Sequence, residues 1–304
     1  MFYLKTASVC IFFTQFTASF SLKSQMFHKE TETRLVGASM KTITVSSGIE
    51  CAMICTNDNC CSSTHDTNLE QCSLFLECCP DKEFSKGSQT IKKISGLNPP
   101  PKDCSELPAE SCSGVYVMQP ENGPSMTVFC EMGIDNGGWT DDYPYFRRVW
   151  NAELFKTIHL PPKGRGRGND NLHFILRQRS YQVRFDLEDF TGDTAYAVYS
   201  TMYVGDESDN YKLNLKGYYG TAGNSMVTAG KISLTGTMFS TRDRDNDLNE
   251  RSCAIIKGGG WWYRSCSLAN INGLYSEKDS NRAVHWKLWR GNTGLKKTMM
   301  MIKP

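Results

Sequence analysis

The chain has 304 residues and a net charge of +2, with 39% hydrophobic and 11% aromatic residues. That length suits two domains, and the composition supports a packed core and argues against wholesale disorder. The near-neutral charge gives no broad electrostatic basis for binding nucleic acid.

The N-terminus, "MFYLKTASVCIFFTQFTASFSLKSQ", places Lys5 ahead of a mostly apolar run from Ala7 to Phe20, with Ser19 and Ser21 as small residues around a cleavage point. The run is too short to span a bilayer and reads as a secretory signal peptide over residues 1–21. No later segment is long and apolar enough for a transmembrane helix. Removing the leader takes Cys10 and leaves twelve cysteines, an even set clustered at 51–79, 104–130 and 253–266. Such clusters read as disulfide frameworks of an oxidising compartment, so a secreted, extracellular protein is expected. No C-x-x-C pair recurs and no histidine lies at ligand spacing, which weighs against zinc. There is no N-x-S/T sequon.

In the segment 25–95, "SSGIECAMIC" carries a helix start, with Ser47 and Glu50 at capping-box spacing. Cys51 and Cys55 lie four apart on one face of that helix, with Cys60, Cys61 and Cys72 as candidate partners in a small sheet. A domain of this size buries little apolar surface, so its staples carry much of its stability. The pattern resembles a PAN/apple domain, in which a short helix bearing C-x-x-x-C is bridged to a curved sheet. The resemblance implies disulfides among Cys51, Cys55, Cys61 and Cys72.

"LNPPPKDC" follows. Three consecutive prolines suit neither a helix interior nor a central strand, which makes residues 96–103 a stiff linker. Beyond it, "GVYVM" (114–118), "YQVRFDL" (181–187), "AYAVYSTMYV" (195–204) and "KLNLKGYYG" (212–220) are rich in β-branched and aromatic residues and predict strands. The basic run "KGRGRG" (163–168) reads as a solvated loop. No internal repeat or heptad seam is present.

The stretch 240–266, "STRDRDNDLNERSCAIIKGGGWWYRSC", is the richest in chemistry. Its acidic residues beside a glycine-rich, aromatic, cysteine-flanked segment admit a metal site, a catalytic loop or a decorated surface turn. An EF-hand is excluded, because counting from Asp243 puts Leu248 where Gly is needed and Ala254 where Glu is needed. Asp243, Asp245 and Asp247 repel one another unless a cation or Arg242, Arg244 and Arg251 compensate.

"CSELPAESCSGVYVM", "VFCEMGIDNGGWT", "VRFDLEDF", "VGDESDNYKLNL", "YYGTAGNSM", "FSTRDRDNDLNERSCA", "GGGWWYRSCSLANINGLY" and "LKKTMMMIKP" occur in that order. Together they closely resemble a fibrinogen C-terminal globular domain over residues 103–304. The whole is then an α+β chain: a small disulfide-stapled PAN/apple-like domain, helix on curved sheet, followed by a β-rich fibrinogen-type domain from 104 to 304.

The resemblance implies Ca2+ held by the side chains of Asp245 and Asp247 and the carbonyls of Asn249 and Arg251, with Asp243 as an outer residue. It implies disulfides Cys104–Cys130 and Cys253–Cys266, which leaves Cys112 for another partner. It also implies a cis peptide at Ser265–Cys266 that directs the Cys266 N–H into an acetyl-binding pocket, flanked by Tyr263 and Ser267. Trp261 and Trp262 are expected to pack the loop.

Two departures stand out. After "GGWT" the chain reads "DDYPYFRRVWNAELFKTIHLPPKGRGRGNDNLHF", which follows the family pattern at its ends and not in the middle. Ser267 also stands where acetyl-binding relatives carry His, and the loop from Tyr275 to Trp286 is short, with Ser280 or Asn281 in place of an aromatic residue.

The expected function is that of a secreted calcium-dependent lectin binding acetylated or acidic glycans, or glycoproteins, on microbial or cell surfaces, with a role in innate immunity. The alternative is an extracellular adhesion or matrix protein that binds a protein partner. Oligomeric avidity would have to come from the PAN-like module, spare cysteines or the globular surface, because no coiled coil or collagen stalk is present. An enzyme is not expected: the histidines at 28, 65, 159, 173 and 285 lie in no hydrolase or zinc-protease spacing, and no phosphate-cradling glycine loop precedes a helix.

Overall fold

The computed structural model describes residues 13–15, 23–37, 39–48, 50–51, 54, 62–75, 82–94, 99–109, 111–141, 148–149, 167–228 and 233–304. The chain divides into two compact units, residues 1–100 with 110–117, and residues 101–109 with 118–304. The division falls inside the proline run. Segment 110–117, expected in the second domain, groups with the first.

In the first unit, strands β1 (Phe13–Gln15), β2 (Lys23–Leu35), β3 (Lys41–Thr44), β4 (Ser62–Asp66), β5 (Gln71–Phe75) and β6 (Lys82–Ile94) form one sheet in the order β1-β2-β6-β4-β5-β3. Every pairing in it is antiparallel. Of the expected leader, only Phe13–Gln15 is described, and it pairs with β2. Residues 48, 50, 51 and 54 are helical. The helix start differs by one position from a simple capping box. Ser47 Oγ accepts from Glu50 N at 3.2 Å, but the Glu50 carboxylate reaches back to the N–H and hydroxyl of Ser46 at 2.9 and 3.0 Å. Cys51 is bonded to Cys72 on β5, and the pair packs with Val45 and Leu74 into a small core. Cys55 and Cys61 lie outside the described residues, as does most of the divergent stretch 141–168. Cys112 is disulfide-bonded.

The second unit is built on an antiparallel sheet that contains β8 (Met126–Glu131), β9 (Trp139–Asp141), β11 (Tyr181–Asp189), β12 (Thr194–Val204), β13 (Leu213–Gly220) and β16 (Leu295–Lys303). Its order is β13-β12-β11-β16-β9-β8, with the two-residue β10 (Arg148–Val149) also on β16. β7 (Gly114–Met118) falls in the segment that groups with the first unit. Strand β11 alternates buried and half-buried positions, so Tyr181, Val183, Phe185 and Leu187 enter the core. On β16, Met299 to Ile302 are all buried, as expected for a strand covered on both faces.

Asp103 joins the end of the linker to this unit. Its buried carboxylate accepts from Ser105 N (2.9 Å), Ser105 Oγ (2.6 Å), Arg179 Nη2 (2.6 Å) and the Tyr181 hydroxyl. Burial alone would raise its pKa, but these donors together hold it below the usual value. Beside it, Cys104 is bonded to Cys130 on β8.

The residues after β13 form few regular elements. Before the closing strand β16 they hold two short helices, Cys253–Lys257 and Lys287–Arg290, and the two-residue strands β14 (Ala269–Asn270) and β15 (His285–Trp286). Aromatic packing and side-chain hydrogen bonds hold this region together, and the candidate site lies within it.

Candidate functional site

The acidic stretch folds into consecutive Asx turns. Asp247 N donates to Asp245 Oδ1 (3.2 Å), Asn249 N to Asp247 Oδ1 (2.8 Å), and Arg251 N to Asn249 Oδ1 (3.1 Å). These turns follow from the alternating Asp/Asn spacing, since each side chain reaches the N–H two residues on. The other Asp247 oxygen accepts from Cys253 N at 2.8 Å. That bond serves the first turn of the helix Cys253–Lys257, where Ser252 makes no side-chain cap.

Asp247 is half-buried and Asp245 exposed. Burial first, then the adjoining Asp245 carboxyl, raise the pKa of Asp247, against the two N–H donors. Two carboxylates side by side, one of them half-buried, favour a positive counter-charge. Among the described residues, the carbonyls of Asn249 and Arg251 accept no hydrogen bond. This all-oxygen donor set fits a hard cation such as Ca2+, with Asp245 and Asp247 supplying charge and the two carbonyls neutral oxygen. Asp243 is exposed and accepts from the Thr241 hydroxyl at 2.7 Å.

The second half is a loop closed by Cys253–Cys266, thirteen residues apart. It is tied directly to the acidic turns: Leu248 N donates to Arg264 O (2.6 Å) and Asn249 Nδ2 to Ser265 Oγ (3.1 Å). Gly258 ends the helix at φ +84° with its N–H on Ala254 O, a left-handed cap that favours glycine. At Gly259 a side chain is excluded outright, because a Cβ would sit 1.9 Å from the carbonyl oxygen of Asn272.

Trp261 and Trp262 are fully buried and pack edge to face at 5.0 Å. Trp262 meets Phe239 in the same way and donates through Nε1 to Tyr211 O at 2.7 Å. Both tryptophans are packing residues.

Two of the four expected pocket positions are buried. Tyr263 is fully buried, and its hydroxyl lies 2.9 Å from Gly259 O and 3.0 Å from Asn270 Oδ1. It braces the loop from inside. Ser267 is also buried and donates to Ala269 O at 2.5 Å, so its hydroxyl is turned away from any ligand. The other two expected ligand positions are accessible. Ser265 is exposed, Cys266 is half-buried, and among the described residues the Cys266 N–H donates to nothing.

Three residues that the sequence did not single out prove central. Asn270 takes the Tyr263 hydroxyl and donates through Nδ2 to Lys257 O and Ala283 O, both at 3.1 Å. It thereby clamps the disulfide loop to the segment before β15. His285, paired with Asn270 across β14–β15, is fully buried and lies within Nδ1 reach of Ala283 O at 2.8 Å. Burial, then the charge of Lys257, hold its pKa down to about 4, so it is neutral near pH 7. Lys257 itself is 7% exposed. The stretch "CSLANINGLY" had drawn notice only as a family motif, and a polar residue between apolar neighbours was the available signal for Asn270.

Residues 100–304 match the family of fibrinogen beta and gamma chains, C-terminal globular domain. The chain is 34% identical to techylectin-5A of Tachypleus tridentatus, over 82% of this chain and 89% of that protein. It is 37% identical to tenascin of Gallus gallus over 68% of this chain, but spans 12% of that much longer protein. Among solved structures, a lamprey fibrin D-dimer complexed with the peptide Gly-His-Arg-Pro-amide matches with a TM-score of 0.58 at 28% identity. That match covers 69% of this chain and 75% of the other. Among the described residues, no helix is long and apolar enough to cross a membrane. From residue 100 onward, this chain belongs to the fibrinogen C-terminal globular domain family.

Proposed function

We propose that this is a secreted, calcium-dependent recognition protein that binds acetylated or acidic sugars on microbial or cell surfaces, and that it is not an enzyme. The observation that carries the reading is the coupling of the acidic turns to the disulfide loop. Asp247 accepts from Cys253 N, and Asn249 donates to Ser265, the residue before Cys266. A cation on Asp245 and Asp247 would neutralise the crowded carboxylates and hold these bonds in place. Calcium would therefore act on the shape of the binding surface without touching the ligand. Techylectin-5A, by its name a lectin, matches over most of its own length and adds support. The first unit would be a PAN/apple-like recognition module, a reading supported by the Cys51–Cys72 bridge between helical residues and the sheet.

A second reading, adhesion through a protein partner, has an observation of its own. With Tyr263 buried and Ser267 turned inward, the expected acetyl pocket lacks two of its contacts. The matching lamprey fibrin carries a peptide ligand. Retention on an N-acetylglucosamine resin separates the readings. Release by EDTA supports the lectin, whereas passage through the column in calcium supports the adhesion protein.

A further inference from the structure

The proposed cation site asks only for the backbone carbonyl of Asn249, and carbonyl ligation makes no demand on the side chain. That side chain is engaged at both ends all the same. Its Oδ1 accepts from Arg251 N at 3.1 Å, which shapes the turn carrying the second carbonyl, and its Nδ2 donates to Ser265 Oγ at 3.1 Å. Chemistry fixes the orientation, because a flipped amide would set Nδ2 against the Arg251 N–H, two donors face to face.

Among the described residues, two hydrogen bonds cross from the acidic turns at 245–251 to the loop at 259–266. One joins backbone groups, Leu248 N to Arg264 O at 2.6 Å, and keeps the two segments adjacent whatever the side chains do. The other is the Asn249–Ser265 bond. Ser265 is exposed and lies between Arg264 and Cys266, where Arg264 N donates to Cys266 O at 3.0 Å. Its hydroxyl is the handle by which the turns hold the last residue before the Cys253–Cys266 bridge.

We infer that Asn249 is a positioning residue whose side chain transmits cation binding to the disulfide loop, so that cation affinity and loop order can be separated at the Asn249–Ser265 bond. The inference rests on the proposed calcium-dependent recognition and names how calcium regulates that same surface. A cation drawing the carbonyls of Asn249 and Arg251 to one centre fixes the backbone from which Nδ2 reaches Ser265. Without a cation, the bond is one solvent-accessible neutral contact, which restrains the loop little. With the bond cut, the two carboxylates and two carbonyls still hold the cation, but Ser265 no longer follows it.

The test combines terbium luminescence titration, which reads cation affinity, with hydrogen exchange of the full chain in calcium and in EDTA. Calcium should slow exchange across 264–267 in the wild type. Ser265→Ala removes the acceptor and leaves every bond of the acidic turns in place. It should bind terbium within about 2-fold of the wild type, yet lose about 2- to 10-fold of the calcium-induced slowing, the worth of one neutral hydrogen bond. Asn249→Ala should lose the same slowing, and should bind terbium several-fold more weakly because Arg251 N loses its acceptor. Full slowing in both variants overturns the inference. So does faster exchange in Ser265→Ala by the same factor with and without calcium, which would make the bond a brace indifferent to the metal. Terbium binding in the wild type with no change at 264–267 overturns the coupling and leaves the cation site standing. Absence of terbium binding and of any calcium effect overturns the inference and the calcium reading together.

Discussion

Asp247 has two roles, and Asp247→Asn separates them. One role is local: its oxygens accept from Asn249 N and Cys253 N, capping the turn and the short helix. The other is the proposed ligation of calcium with Asp245. Asparagine keeps one acceptor oxygen and loses the charge. Without calcium, losing one acceptor costs about 1 kcal/mol, partly offset by removing the repulsion with Asp245. The apo melting temperature should therefore change by no more than a few degrees.

With calcium the outcome differs. At 100 times its dissociation constant, calcium would stabilise the wild-type fold by about 2.7 kcal/mol. In a domain of this size that corresponds to a rise of roughly 5–10 °C. Asp247→Asn should abolish the rise, which differential scanning calorimetry in calcium and in EDTA would record. The rise should also depend on pH. The Asp247 pKa is raised, so protons compete with calcium at a higher pH than at an ordinary aspartate, and the calcium effect should shrink as pH falls towards that value. A rise of equal size in the variant would refute the metal assignment, and Asp247 would then be a capping residue.

Replacing Cys253 and Cys266 together by serine should cost about 3 kcal/mol, the loop-closure value for a ring of this size. Urea unfolding would show it as a lower midpoint, with a slope equal to or steeper than that of the cross-linked chain, because the unfolded state is no longer held compact. Asp103→Asn should destabilise the second unit by about 2 kcal/mol at pH 7, with the half-exposed Arg179 supplying the smaller part. Because the folded-state pKa of Asp103 is depressed, this contribution is present above the unfolded value of 3.8 and lost as pH falls through the folded one. The variant and wild type should therefore converge in strong acid. His285 behaves in the opposite sense to a salt-bridged histidine. The unfolded chain takes up a proton below about 6.5, whereas the fold refuses it until about 4, so acidification across that window should remove up to roughly 3 kcal/mol. His285→Gln should flatten that slope in pH-dependent thermal unfolding.

Much of the architecture was legible because local chemistry and tertiary demand agree. The β-branched and aromatic runs at 181–187, 195–204 and 212–220 are strands, and the alternation in β11 matches its buried face. The Asp245–Asp247–Asn249 spacing was readable as closely set acceptors, since Asx turns depend on neighbours two residues apart. What could not be read was which way the irregular loop turns each side chain. Tyr263 looked like a pocket wall because tyrosine suits one. Its burial depends on Asn270, seven residues on, and on the backbone of Gly259. Ser267 looked like a shortened ligand contact, but the turn lets its hydroxyl reach Ala269 O instead. Lys257 is withdrawn from solvent, and no local pattern announces it.

The central claim is that calcium, held at Asp245 and Asp247, enables saccharide recognition by the disulfide-closed loop. A glycan array probed with the secreted chain in calcium, in EDTA, and as the Asp247→Asn variant tests it most directly. The account predicts binding to acetylated or acidic glycans in calcium, with loss of that binding in EDTA and in the variant. Equal binding in all three conditions, or no glycan bound in calcium, would contradict it.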